Sequence, residues 1–156
     1  MKNQEMSRQL QRLDSLFKRA ADASNGDFDL QSHWARYLCV LVSGFVENGV
    51  KEIYTEFVSR GASKPVADYA IAFLSTIQNP KAEKILTITG SFKKEWREDL
   101  AKYLEEDGRK DAVDSIMTNR HQIAHGKDVS ITLARVQGFF RKIIDILGFM
   151  EQQCGA

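Results

Sequence analysis

The apolar residues of this chain recur at spacings of three and four, and almost no segment alternates between apolar and polar residues. This period matches the α-helix, with 3.6 residues per turn, and not the two-residue repeat of a strand. In the final segment one continuous apolar stripe is formed by Leu133, Val136, Phe140, Ile143, Leu147 and Met150. The pattern predicts an all-α fold, an antiparallel helical bundle with two long core helices and additional shorter helices.

Clusters that contain Gly, Pro or Asn divide the chain into seven predicted helices. The first should stop near Ser24-Asn25-Gly26, where glycine can adopt the left-handed conformation that ends a helix. Pro65 and Pro80 mark the starts of the third and fourth helices, since proline is tolerated in a first turn. The β-branched run Thr87-Ile88-Thr89 disfavours helix beyond that point. The other predicted helices span roughly 30–60, 63–77, 81–88, 92–106, 110–124 and 130–153.

Bulk composition predicts one soluble domain covering residues 1–156. The chain is 43% hydrophobic and 28% charged, which is typical of a globular protein with a substantial core. Its formal net charge of +1 provides no general attraction for nucleic acid or membranes, so any RNA-binding surface must be local. The longest apolar run, 37–46, is far shorter than the roughly 20 residues of a membrane span, and the N-terminus does not resemble a secretory signal. We expect a cytoplasmic protein with no membrane partner.

The segment Ser115 to Gly126 departs from the pattern of a plain bundle helix. Arg120 lies three residues after Met117 and four before Ala124, which places an arginine within the predicted inward stripe. Arginine is rarely buried without a partner, so this position requires an internal carboxylate or a solvent-filled cleft. A purely structural arginine is the alternative at this stage.

His125 precedes Gly126, so it should lie at a helix C-terminus, where free carbonyl groups favour a positive charge. A histidine that only caps the helix is the alternative interpretation. His121 shares a face with His125, the spacing of paired zinc ligands, but no third ligand accompanies them and we predict no metal site. Asn119 and His121 could contact a phosphate or simply face water. Cys39 and Cys154 show no metal-binding or disulfide spacing, and no cofactor is predicted.

The second helix supplies a possible partner for the arginine. Glu47 shares a face with Ser43, Val50 and Tyr54 and should therefore be half-buried, while Gly44 should allow another helix to approach closely. We predict an ion pair between Glu47 and Arg120. Further basic residues could form a thin track for a phosphodiester backbone or an ordinary charged surface, namely Arg109, Lys110, Lys127, Arg135, Arg141 and Lys142.

The run Asn119-Arg120-His121-Gln122-Ile123-Ala124-His125-Gly126 resembles the signature of the HEPN superfamily, an arginine, a polar residue, a short spacer and a histidine. The Ser-Gly-x-x-Glu element in 43–47 is similar to the RiboL-PSP-type branch. The resemblance covers the chain from the second helix to the last. It implies a helical bundle that forms a homodimer, with two copies of the motif facing one cleft.

This resemblance also implies metal-independent cleavage of RNA, with Arg120 and His125 as catalytic residues and His121, Asn119 and Glu47 in support. Members of the superfamily often serve as toxins or defence effectors, sometimes restrained by an antitoxin or another regulatory protein. Others only bind RNA or proteins, and a plain structural domain is a third possibility. The intact Arg120 and His125 favour the nuclease, because a binding module has no need of a proton-transferring histidine.

Overall fold

The computed structural model describes residues 1–155, which form seven α-helices and no strands. The helices are α1 (Gln4–Ala23), α2 (Phe28–Gly61), α3 (Lys64–Leu74), α4 (Ala82–Phe92), α5 (Lys94–Glu105), α6 (Arg109–Ala124) and α7 (Leu133–Gln153). The prediction of an all-α fold is confirmed. Within residues 1–155, no helix combines the length and apolar character needed to cross a bilayer.

Short polar side chains fix the starts of the three longest helices. Asn3, Asp27 and Thr132 precede α1, α2 and α7, and each accepts a hydrogen bond from a backbone N–H in the first turn, at 3.0, 3.0 and 3.2 Å. Such a cap satisfies a donor that has no partner within the helix. Gly26 has a φ of +79°, which explains why α1 ends at the predicted cluster.

Helix α2 is the centre of the bundle and packs against α1, α3, α6 and α7. Its twelve buried residues run from Ala35 to Val58. Helix α7 lies lengthwise against it as predicted. The antiparallel arrangement expected for these two long helices is wrong, because Leu147 meets Gly49 while the Cys154 carbonyl oxygen accepts from Arg60, so the two run in the same direction. Antiparallel neighbours include α1 with α2 and α6 with α7.

Helix α4 is longer than predicted because tertiary packing outweighs the low helix propensity of its β-branched residues. Ile88 and Thr89 are buried, and the Thr89 hydroxyl lies 2.6 Å from the Tyr54 hydroxyl. Phe92, predicted to begin the fifth helix, instead closes α4 and stacks on the Tyr54 ring, with centroids 4.6 Å apart. Each contact joins α4 to α2.

One buried carboxylate ties the start of α1 to the end of α7. Glu151 is 6% exposed and accepts hydrogen bonds from the backbone N–H groups of Lys2, at 3.0 Å, and Asn3, at 3.2 Å. A buried charge is tolerated only with such donors. The two cysteines are free and buried. Burial raises the pKa of the Cys39 thiol and of the Cys154 thiol to about 11 each.

The glycine that allows close helix packing is Gly49, and the prediction for Gly44 is wrong. A Cβ atom at Gly44 would meet nothing within 4 Å, because this position faces outward. A Cβ atom at Gly49 would lie 2.6 Å from Leu147 Cδ1 and 3.1 Å from Met6 Cε, closer than packed atoms tolerate.

The two glycines therefore form a matched pair for mutagenesis within one helix. We expect Gly44→Ala to stabilise the protein by about 0.5–1 kcal/mol, because alanine has the higher helix propensity. Gly49→Ala should destabilise it by about 1–2 kcal/mol, since Leu147 and Met6 must shift. Urea unfolding of both variants measures the difference, and an equal effect at the two positions would contradict the assignment of Gly49 as the packing glycine.

Candidate active site

Helix α6 is anchored by its first half and leaves the core in its second half. Its buried residues are Ala112, Val113, Ile116 and Met117, and the Ile116 carbonyl oxygen lies 3.6 Å from the Cys39 sulfur of α2. After Met117 no residue of the helix is buried. Ile123 is half-buried and Ala124 exposed, so the predicted inward stripe does not continue to the end of the helix. Arg120 is therefore half-buried in an open groove.

The end of α6 is a hydrogen-bonded glycine turn that fixes the backbone of His125. The N–H of Gly126 donates to the Ile123 carbonyl at 3.1 Å, and the N–H of Lys127 donates to the Gln122 carbonyl at 3.0 Å. These two bonds define a Schellman motif, which requires a left-handed residue at Gly126, whose φ is +71°. The predicted position of His125 at the helix C-terminus is confirmed.

Replacement of Gly126 tests the importance of this turn. We expect Gly126→Ala to lower the free energy of unfolding by about 1 kcal/mol, because alanine is strained in the left-handed region. Gly126→Asn should be milder, since asparagine tolerates that conformation. Thermal unfolding followed by circular dichroism measures both. Equal stability of the alanine variant and the wild type would show that the turn tolerates another conformation.

The groove beside Arg120 has a volume of about 360 Å³ and is formed by two separate segments of the chain. One wall comes from the second half of α6 and the turn after it, and the other from the connection between α3 and α4. The lining residues are Asn79, Lys81, Met117, Thr118, Arg120, His121, Gln122 and Lys127. Three of these residues, Lys81, Arg120 and Lys127, carry a positive charge, and no carboxylate lines the groove.

Two acidic residues hold the α3–α4 connection in place. Glu47 of α2 accepts a hydrogen bond from the Asn79 N–H at 2.7 Å, and Asp114 of α6 accepts one from the Ala82 N–H at 2.9 Å. The other Glu47 oxygen pairs with Lys51 at 2.9 Å. Glu47 is half-buried as predicted, but the predicted pair with Arg120 is wrong because both of its oxygens have other partners. Its observed role is to position the groove wall.

Arg120 makes no ion pair and no hydrogen bond within residues 1–155. The absence of a carboxylate partner distinguishes it from a structural arginine, which would be neutralised by the fold. Because the groove is open, solvent has access to the guanidinium. A planar fork of five N–H donors exposed in this way suits a phosphate group.

The two histidines of the motif contact each other at the edge of the groove. The rings of His121 and His125 lie 4.4 Å apart between centroids, at an angle of 58°, and both side chains are exposed. His121 lines the groove together with Arg120. His125 does not line the groove, but its ring contacts that of His121. The structure therefore places Arg120 and His121 in one groove, with His125 packed against His121.

Asn119 does not join this group. Its Nδ2 donates to the Ser115 carbonyl at 2.7 Å, so the side chain is directed back along its own helix. Among the basic residues considered from the sequence, Lys127 lines the groove. Arg109 instead stacks over the Tyr103 ring at 3.7 Å and lies near Asp107 and Glu106. Residues 1–155 contain no cluster of three or more His, Cys, Asp or Glu that could hold a metal ion.

Sequence reasoning missed Asn79 and Lys81. They lie about forty residues before the motif in a connection without periodicity, and no local pattern relates them to Arg120. The one available signal was the Asn79-Pro80 turn, where Asn79 adopts a positive φ of 43°. The predicted partner Glu47 could have been assigned to Lys51, since a glutamate four residues before a lysine on a helix commonly pairs with it.

Comparison with known proteins identifies one family. A family model described as RiboL-PSP-HEPN matches residues 4–156, nearly the whole chain. No curated protein and no solved structure gives a significant match. The matched region includes both walls of the groove and the complete motif.

Proposed function

This chain belongs to the RiboL-PSP-HEPN family, and from that membership and the groove at Arg120 we propose that it is a metal-independent endoribonuclease. The observation that supports this most strongly is an arginine without a carboxylate partner, in an open groove, next to two exposed histidines. A purely structural role would not require these groups to be accessible to solvent. The proposal includes action as a toxin or defence effector in the cytoplasm, restrained by an antitoxin or other regulatory protein.

The proposed reaction uses a nucleophile that RNA itself carries. The ribose 2′-oxygen forms a bond to the adjacent phosphorus while the bond from phosphorus to the 5′-oxygen breaks, which leaves a 2′,3′-cyclic phosphate and a free 5′-hydroxyl. His125 exchanges protons with the 2′-hydroxyl or with the leaving oxygen, a role suited to an imidazole, whose ring nitrogens can accept and donate a proton. Arg120 contacts the phosphate oxygens, where negative charge develops in the transition state.

We propose that the active form is a homodimer in which two copies of the motif face one cleft. Support comes from the surface of α2 and α3, which carries every exposed large apolar side chain within residues 1–155. These are Phe28, Leu30, Tyr37, Val40, Val66, Tyr69 and Phe73. The three on α3 follow helical spacing on one face, and an exposed apolar face of this kind is typical of an interaction site.

The test of this function is incubation of the purified protein with total RNA and with a tRNA pool in the presence of EDTA. We expect fragments that end in 2′,3′-cyclic phosphate. Intact RNA would support the alternative, a non-catalytic module that binds RNA or a protein. Sedimentation at micromolar concentration should show a dimer, and a monomer that cleaves RNA would contradict the shared cleft.

A further inference from the structure

The groove contains three cations that have no counterion. Lys81, Arg120 and Lys127 all line it, and none of them has a carboxylate within 4.0 Å inside the described range 1–155. Some other basic residues of the protein do have such partners, for example Lys64 with Asp68 and Arg97 with Glu83, each at 2.9 Å or less. Like charges that converge on one cavity repel each other, and a bound anion relieves that repulsion.

The backbones of both lysines are fixed even though their amino groups are exposed. Lys127 follows the glycine turn, where its N–H is bonded to the Gln122 carbonyl at 3.0 Å. Lys81 lies between Asn79 and Ala82, whose N–H groups are bonded to Glu47 and Asp114. Lys81 and Lys127 therefore stand on opposite walls of the groove, and Arg120 lies on the same wall as Lys127.

We infer that this groove is a binding subsite for single-stranded RNA, in which Lys81 and Lys127 hold a backbone phosphate next to the one that Arg120 contacts. The inference rests on the proposed function, since it extends the same site along the substrate. A volume of about 360 Å³ is too small for a duplex and is suited to one nucleotide unit. Lysine binds phosphate as a point charge, which gives affinity for the backbone without sequence preference. The side-chain amides of Asn79 and Gln122 offer donors and acceptors to the nucleotide that lies there.

The test is RNA binding by charge-neutralised variants. A fluorescent 12-nucleotide strand with 2′-O-methyl groups cannot be cleaved, and its anisotropy reports affinity between 50 and 200 mM NaCl. We expect Lys81→Gln with Lys127→Gln to weaken binding about twentyfold, because two phosphate contacts are lost. The dependence of log affinity on log salt concentration should become shallower by about 0.7 per lost contact.

A second pair of lysines provides the matched control. Lys18 on α1 and Lys102 on α5 are exposed, do not line the groove and have no ion partner in the part of the chain described. Lys18→Gln with Lys102→Gln changes the net charge by the same amount and should alter affinity by less than about twofold. Equal binding by the two double variants would overturn the subsite, as would equal affinity of the wild type for a 12-base-pair duplex.

Cleavage kinetics separate the subsite from the proposed function. In the groove variant KM should rise by more than kcat falls, since Lys81 and Lys127 touch a phosphate that does not react. If the wild type cleaves RNA and the groove variant matches the control, the subsite is wrong and the nuclease stands. If the wild type binds but does not cleave, while the groove variant loses binding, the nuclease is wrong and the subsite stands.

Discussion

Replacing His125 with alanine is expected to reduce RNA cleavage about a thousandfold, because proton transfer by a positioned side chain contributes rate factors of that order. The fold should be unaffected, since the His125 side chain is exposed and the turn that follows α6 is held by backbone hydrogen bonds. The measurement is the initial rate of cleavage in EDTA at equal protein concentration. Binding of an uncleavable RNA should change little, since His125 does not line the groove.

The remaining histidine outside the motif gives a matched control. His33 lies exposed on α2, where it contacts Arg36 and Asp29 and takes no part in the groove. His33→Ala should cleave at the wild-type rate. Arg120→Ala should lose both cleavage and part of the RNA affinity, because it removes a phosphate contact. Full cleavage by His125→Ala would rule out the proposed mechanism.

The largest loss of stability is expected for Phe140→Ala. The Phe140 ring is 1% exposed, stacks on Phe17 of α1 with centroids 5.3 Å apart, and meets the edge of Phe45 of α2 with centroids 5.5 Å apart. One side chain of α7 thus joins three helices. Truncation of a buried phenylalanine costs about 3–5 kcal/mol through lost burial and the cavity left behind. For a domain of this size we expect the melting temperature to fall by about 10 °C.

Phe28 serves as the comparison for that variant. Its side chain is 84% exposed, so Phe28→Ala removes the same atoms without creating a cavity. Measured at a protein concentration low enough to give the monomer, its melting temperature should stay within about 2 °C of the wild type. Differential scanning calorimetry of both variants gives the two values. A small effect at Phe140 would show that the contact between α1, α2 and α7 can repack.

The helical periodicity was sufficient to predict the fold, and packing explains where the boundaries differ. The predicted stripe of α7 is buried from Val136 to Met150, and Leu133 at its start is half-buried. The β-branched residues Thr87 to Thr89 predicted an early end to α4. That prediction failed because helix propensity takes no account of tertiary contacts, and Tyr54 lies opposite Thr89 and Phe92. The antiparallel direction expected for the two long helices was wrong, since a stripe on α7 is compatible with either orientation against α2.

The site was predictable where it is local in sequence. The spacing from Arg120 to His125 and the glycine that follows were enough to place the helix end, and the family match covers that segment. The surroundings of Arg120 were not predictable in the same way. A break in an apolar stripe cannot distinguish a buried ion pair from a helix that leaves the core, and the second is what α6 does after Met117.

The contact between Cys39 and Ile116 also makes the motion of the site helix measurable. A thiol buried against α6 reacts with a maleimide only when that helix separates from α2, so the labelling rate at Cys39 reports how often the contact opens. Cys154, at the end of α7, responds to a separate opening at another part of the bundle. The labelling rate at Cys39, compared with and without RNA, therefore shows whether bound RNA slows the local unfolding of α6, the helix that holds Arg120 and positions His125.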